Sequence, residues 1–128
     1  MTLRYSKELV KRFRNPKYVK KIKNPDGVGE VGNIKCGDIM NLQIKVDENK
    51  IKDIGFHTFG CPAAVASSDV VCELARGKTL EQAKKLTKKD IIKKLKGMPP
   101  IKVHCSVLGI DALKKAIENF EEKNKNGK

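Results

Sequence analysis

At 128 residues, 39% hydrophobic and 34% charged, the chain is long enough to bury one continuous core without covalent staples. Its formal net charge of +13 rests on 28 basic residues, of which only Arg4, Arg12, Arg14 and Arg76 are Arg. With no Trp and few aromatic residues to stack on bases, this favours a solvated basic face, one suited to an acidic protein partner, over nucleic acid. No apolar run approaches the ~20 residues that span a bilayer, and Arg4, Lys7, Lys11 and Arg12 break up any export signal, so the expectation is a cytoplasmic protein away from membranes.

In chain order, Tyr5, Leu9 and Phe13 recur at helical spacing over residues 4–14, and Asn15-Pro16 ends that helix. Basic residues dominate 1–24, with Glu8 the one acid, and the segment reads as a mobile, solvated or docking surface. Asn24 to Gly29 is turn chemistry, and Gly32 to Asp38 a second glycine-bearing corner around Cys36. Met40, Leu42, Ile44 and Val46 alternate with polar residues, which predicts a strand. Asp47-Glu48-Asn49-Lys50 predicts a hairpin turn, and the strand ending near Phe59 returns antiparallel. A helix is expected from Pro62 to Arg76 with Gly77 as its cap, its Ala and Ser residues allowing close packing. Thr79 to Gln82 fits a capping box, and Thr87 opens another short helix through Leu95. Ile101 to Val103 reads as extended, followed by His104-Cys105-Ser106 and a last helix striped by Ile110, Leu113, Ile117 and Phe120. Glu121 to Lys128 reads as a frayed, mobile tail. With no repeat and no linker, residues 1–128 form one domain.

A reducing compartment leaves the four cysteines free for metals or sulfur chemistry. Cys61 falls at a strand-to-helix corner, where unpaired N–H groups and the helix dipole favour a thiolate. Cys105 also falls just before a helix, beside His104. Cys36 lies on a glycine-bearing corner with Asp38 two residues later. Three thiolates with a carboxylate or an imidazole make a four-coordinate set suited to an iron–sulfur cluster or zinc. Strand parity points His57 away from Ile54 and Phe56 and makes it a poor fourth ligand. Cys72, some 16 Å along the helix from Cys61, reads as structural.

Three blocks carry a family resemblance: Gly29 to Met40, then Thr58 to Cys61 with Ala64 to Ser68, then Pro99 to Ser106. Together they closely resemble the IscU/NifU-type iron–sulfur cluster scaffold family, from about Tyr5 to Phe120, and Asn15-Pro16 matches that family's early Asn-Pro. The resemblance implies an α+β fold with a small antiparallel sheet of about three strands, helices on one side and the cysteines gathered at one end. It implies a transient [2Fe-2S] cluster built from Fe2+ and persulfide sulfur on Cys36, Cys61 and Cys105, with Asp38 or His104 as fourth ligand, then passed to acceptor apo-proteins. Zn2+ can enter the same set when it is vacant. Cys105 would accept sulfur from a cysteine desulfurase, Asp38 would keep the cluster labile, and an electron donor such as a ferredoxin would serve the assembly. Met98 to Lys102 resembles the Leu-Pro-Pro-Val-Lys segment read by an Hsp70-type chaperone, and two copies can pair as a homodimer across exposed clusters. The chain reads as a scaffold and not a turnover enzyme.

Pro62 stands where that family usually has Gly, and Lys35 where a small residue is common. The alternative is a zinc-containing sulfur-acceptor protein working with a cysteine desulfurase. The Cys61–Cys105 interval lacks the insertion typical of that branch.

Overall fold

The computed structural model describes residues 6–33, 38–59, 62–97 and 103–126, with side chains over 6–32, 39–58, 64–97 and 107–123. The described elements run α1 (Lys7–Arg14), β1 (Gly27–Asn33), β2 (Asp38–Asp47), β3 (Lys50–Phe59), α2 (Pro62–Ala75), α3 (Leu80–Lys84), α4 (Lys88–Lys94) and α5 (Val103–Asn126). The strands form one antiparallel sheet in the order β1-β2-β3. This is the α+β arrangement expected, with helices on one face.

Period-two alternation decides that face. Met40, Leu42 and Ile44 on β2, with Ile54 and Phe56 on β3, are all fully buried beneath α2 and α5, whereas His57 is exposed. The β2–β3 turn works because Glu48 and Asn49 both take positive φ, 52° and 64°, as a two-residue hairpin matched to strand twist requires. Gly77, at φ +86°, follows α2, and its N–H donates to Ile51 O. The capping box at Thr79 and Gln82 is present.

The strand β1 corrects the reading of Gly27 to Gly29 as turn and of Gly32 and Asn33 as corner. Gly27 and Gly29 are there for packing. A methyl group at Gly27 would stand 2.2 Å from Ala116 O, and one at Gly29 2.0 Å from Ala112 O. The backbone of α5 therefore lies directly on β1, a contact that any side chain would abolish.

Three further expectations change. Helix α5 begins at Val103, so His104 and Cys105 lie within its first turn and not before it. A helix-compatible stripe farther along the chain does not reveal where the first turn begins. The same helix continues through Asn126, past the Glu121 start expected for a frayed tail, and Glu121 pairs with Lys84 at 3.0 Å. On α1, Leu9 is buried but Phe13 is 42% exposed, because Arg12 and not Phe13 turns toward α2. The basic segment also makes specific contacts with the sheet: Ile22 is buried, its N–H donates to the buried Gln43 Oε1, and Tyr18 O accepts from Phe56 N–H at the edge of β3, while most of the described side chains before Asn24 stay exposed or half-buried.

Candidate functional site

Strand register brings several chain ends together. Asn33, the last residue of β1, pairs with Asp38, the first of β2. Ile39 pairs with Phe59, the last residue of β3, and α2 starts three residues later at Pro62. Helix α5 runs opposite to β1, since Gly27 meets Ala116 and Phe120 while Gly29 meets Ala112 and Lys115. From Gly29 to Asn33 the strand covers roughly 13 Å at ~3.3 Å per residue. From Ala112 back to Val103 the helix covers roughly 13 Å at ~1.5 Å per residue. The first turn of α5 therefore lies level with the Asn33–Asp38 end of the sheet.

Asp38 opens β2, and His104 and Cys105 sit in the first turn of α5, each placed here by its backbone. Cys36 and Cys61 lie outside the described residues, as does the Met98 to Lys102 segment. In the chain, Cys36 falls between Asn33 and Asp38, and Cys61 between Phe59 and Pro62. The described ends flanking both cysteines are thus at the same end as the start of α5. His57, itself exposed, stands opposite Asn41 on the sheet face turned away from the Leu42 and Phe56 side chains. Near this end, the Thr58 hydroxyl donates to Ile39 O at 2.6 Å and ties β3 to β2.

Cys72 is a free, fully buried thiol, and burial, reinforced by the charge of Asp69, raises its pKa well above the ordinary value. A neutral, enclosed thiol is neither a nucleophile nor a ready metal ligand, as its position on the helix led one to expect.

One group of residues escaped the sequence reading. Asp69 of α2 is fully buried, and its carboxylate accepts from Arg12 at 2.9 Å and from the backbone N–H groups of Lys17 and Tyr18, each at 2.8 Å. Arg12 also reaches Glu73 at 2.7 Å, and Lys94 reaches Glu73 at 3.2 Å. Burial alone would lower the Arg12 pKa, but its hydrogen bonds to Asp69 and Glu73 outweigh that and raise it. Burial pushes Glu73 upward, yet the hydrogen bonds from Arg12 and Lys94 hold it below the ordinary carboxylate range. The groups that donate to the Asp69 carboxylate all lie more than fifty positions away in the chain, so no local motif announces it. The group is an anchor for α1 and the segment after it.

Among the described residues no group of three or more His, Cys, Asp or Glu side chains is arranged to hold a metal, and no helix is long and apolar enough to cross a membrane.

Known proteins are similar to this chain in sequence and in fold. The model of the NifU-like N terminal domain family matches residues 4–127. The iron–sulfur cluster assembly scaffold protein IscU 1 of Archaeoglobus fulgidus is 49% identical over 120 residues, covering 94% of this chain and 78% of that protein. The Escherichia coli scaffold protein IscU is 44% identical over 123 residues, covering 93% and 95%. Among solved structures, a Fervidobacterium islandicum protein described as an iron–sulfur cluster assembly scaffold for the SUF system superposes with a TM-score of 0.74 at 27% identity, covering 88% of this chain and 96% of that one. The N-terminal part of a NifU-like protein from Brucella abortus reaches a TM-score of 0.74 at 20% identity, covering 91% and 94%, and shares the fold. With a match from residue 4 to residue 127, the chain belongs to the NifU-like N-terminal domain family.

Proposed function

We propose that this protein is an iron–sulfur cluster assembly scaffold, a binding and transfer protein and not a turnover enzyme, with the cluster as its cargo. The observation that carries this reading is the family match over residues 4–127. The convergence of the Asn33–Asp38 pair, the end of β3 and the start of α5 supports it. In this reading Cys36, Cys61 and Cys105 hold a [2Fe-2S] cluster, and Asp38 or His104 completes the set. Thiolates suit the soft iron–sulfur core, and an oxygen or imidazole in one position leaves the cluster exchangeable.

Cys105 receives sulfur. Its place in the first turn of α5 favours the thiolate through the helix dipole. That thiolate attacks the terminal sulfur of the persulfide on a cysteine desulfurase, and the donor cysteine leaves as its own thiolate. Iron, electrons from a donor such as a ferredoxin and the acceptor apo-proteins complete the cycle.

The test is iron, zinc and acid-labile sulfide per chain on protein prepared without oxygen, before and after reconstitution with iron, cysteine and a desulfurase. Iron and sulfide in near-equal amounts are expected. Cys36→Ser, Cys61→Ser and Cys105→Ser should each lose the stable cluster, and Cys72→Ser should retain it. Asp38→Ala should give a longer-lived cluster that transfers more slowly. Zinc without sulfide, persisting after reconstitution, would overturn the reading.

A further inference from the structure

Between α1, the end of α2 and α4 lies an open groove of about 660 Å³ that the scaffold reading does not use. Leu74 and the buried Leu86 give it an apolar floor. Its rim carries Lys78, Lys93, Lys94 and Lys96, against the acids Glu8 and Asp90. Among the described residues no carboxylate pairs with Lys78, Lys93 or Lys96, while Lys94 shares Glu73 with Arg12. The Asp90 carboxylate is already occupied by the N–H and hydroxyl of Thr87. With four lysines on its rim against two carboxylates, the groove carries an excess of positive charge around an apolar base.

The backbone at Lys96 is a second, independent observation. Helix α4 ends with Lys96 N–H donating to Lys93 O and Gly97 N–H donating to Ile92 O, a Schellman arrangement. The left-handed position in that motif usually belongs to Gly, yet here it holds Lys96 at φ 58°. A long basic side chain is kept at a backbone position that disfavours it, on the rim of the groove.

We propose that this groove docks an acidic segment of a partner protein, one that places an apolar side chain on Leu74 and Leu86 with carboxylates against the lysines. Charge complementarity sets the sign of the partner, and the apolar floor selects a peptide over nucleic acid, whose phosphates have no use for it. Neither Arg forks nor aromatic rings line the groove to read or stack bases. Leu74 stands about 18 Å along α2 from Pro62, at ~1.5 Å per residue. A partner held there leaves the end bearing Asp38 and the start of α5 open.

The experiment uses the full chain and three probes: a labelled peptide Asp-Glu-Leu-Glu-Asp-Leu-Glu-Glu, the same peptide with both leucines replaced by serine, and single-stranded oligothymidine. Binding is followed by anisotropy and located by amide shifts in 15N NMR spectra. The leucine peptide should shift Leu74, Lys78, Lys93 and Lys96. Binding should weaken about tenfold or more in Lys93→Glu/Lys96→Glu, and also for the serine peptide. Lys96→Gly relieves the left-handed position, so it should melt no lower than the parent while binding the peptide less tightly. The proposal fails if the leucine peptide does not bind, if its shifts lie elsewhere, if the serine peptide binds equally well, or if oligothymidine produces the same shifts with comparable affinity. None of these outcomes bears on the cluster, whose own test reads iron and sulfide.

Discussion

The two outer elements of this fold are attached by opposite means. Helix α5 sits on β1 by shape: Gly27 and Gly29 leave room for its backbone, Gly109 of α5 meets Val71 and Ser68 of α2, and the Val28 N–H donates to Asn119 Oδ1 at 3.0 Å. Helix α1 and the segment after it are held by charge and hydrogen bonding, through Arg12, Asp69, Glu73 and the N–H groups of Lys17 and Tyr18. The first attachment fails when an atom is added. The second fails when a charge is removed. Because α5 carries Cys105 and the sheet carries Asp38, the attachment by shape is the one that sets the candidate site.

The largest expected effect is on that attachment. Gly29→Val would drive its side chain into Ala112 O, and a loss of about 3 kcal/mol or more in urea denaturation is expected. Glu30→Val, one residue along on an exposed position, should change stability by no more than about 0.5 kcal/mol. Equal effects from the two would show that β1 tolerates any side chain and that the close approach of α5 is not what holds it.

Asp69→Asn comes next. It keeps the shape and removes the charge, leaving Arg12 without its buried partner, and a loss of about 3 kcal/mol is expected in the same assay. Hydrogen exchange should then rise over Lys17 and Tyr18 while the amides of β1 stay protected. A uniform rise across both would break the distinction between the two attachments.

Glu73 gives a smaller, pH-dependent effect. Its folded pKa lies below the ordinary value, so its contribution is fully present above about pH 4.3, the unfolded glutamate value, and is lost as pH falls through the folded one. Glu73 is 25% exposed, so Glu73→Gln should cost under about 1 kcal/mol at pH 7. Thermal melts should show that difference shrinking in acid, and a difference that grows there would reverse the assignment.

The smallest effect concerns Cys72, which lies on α2 between the two attachments. Burial keeps this thiol neutral, so iodoacetamide should leave it unmodified in the folded protein and alkylate it in urea. Rapid labelling at Cys72 itself, located by peptide mapping, would mean that α2 opens locally.

Much of the fold is legible in the residues themselves. Met40, Leu42 and Ile44, and Ile54 and Phe56, fall at period two because one face of the sheet is buried against helices, and Glu48-Asn49 can take the left-handed turn that joins the two strands. The Thr79 box, the Gly77 ending and the inert Cys72 are equally local. Strand β1 is not legible, since Gly27 and Gly29 carry turn chemistry wherever they occur, and the approach of α5 is what makes strand residues of them. At the candidate site the sequence marks Cys36, Asp38, Cys61 and Cys105 through their corners and the family blocks. It misplaces the start of α5, because helix periodicity marks a face and not a first residue.

What the sequence determined by itself is whatever depends on neighbours a few positions apart: alternation, caps, turns and the three cysteine blocks. The tertiary structure decided what depends on partners far along the chain. Asp69 is buried with Arg12, 57 residues away. Gly29 is a strand residue because Ala112 lies against it. Buried charges and close backbone contacts exist only once the packing that encloses them is complete. No local pattern encodes that packing.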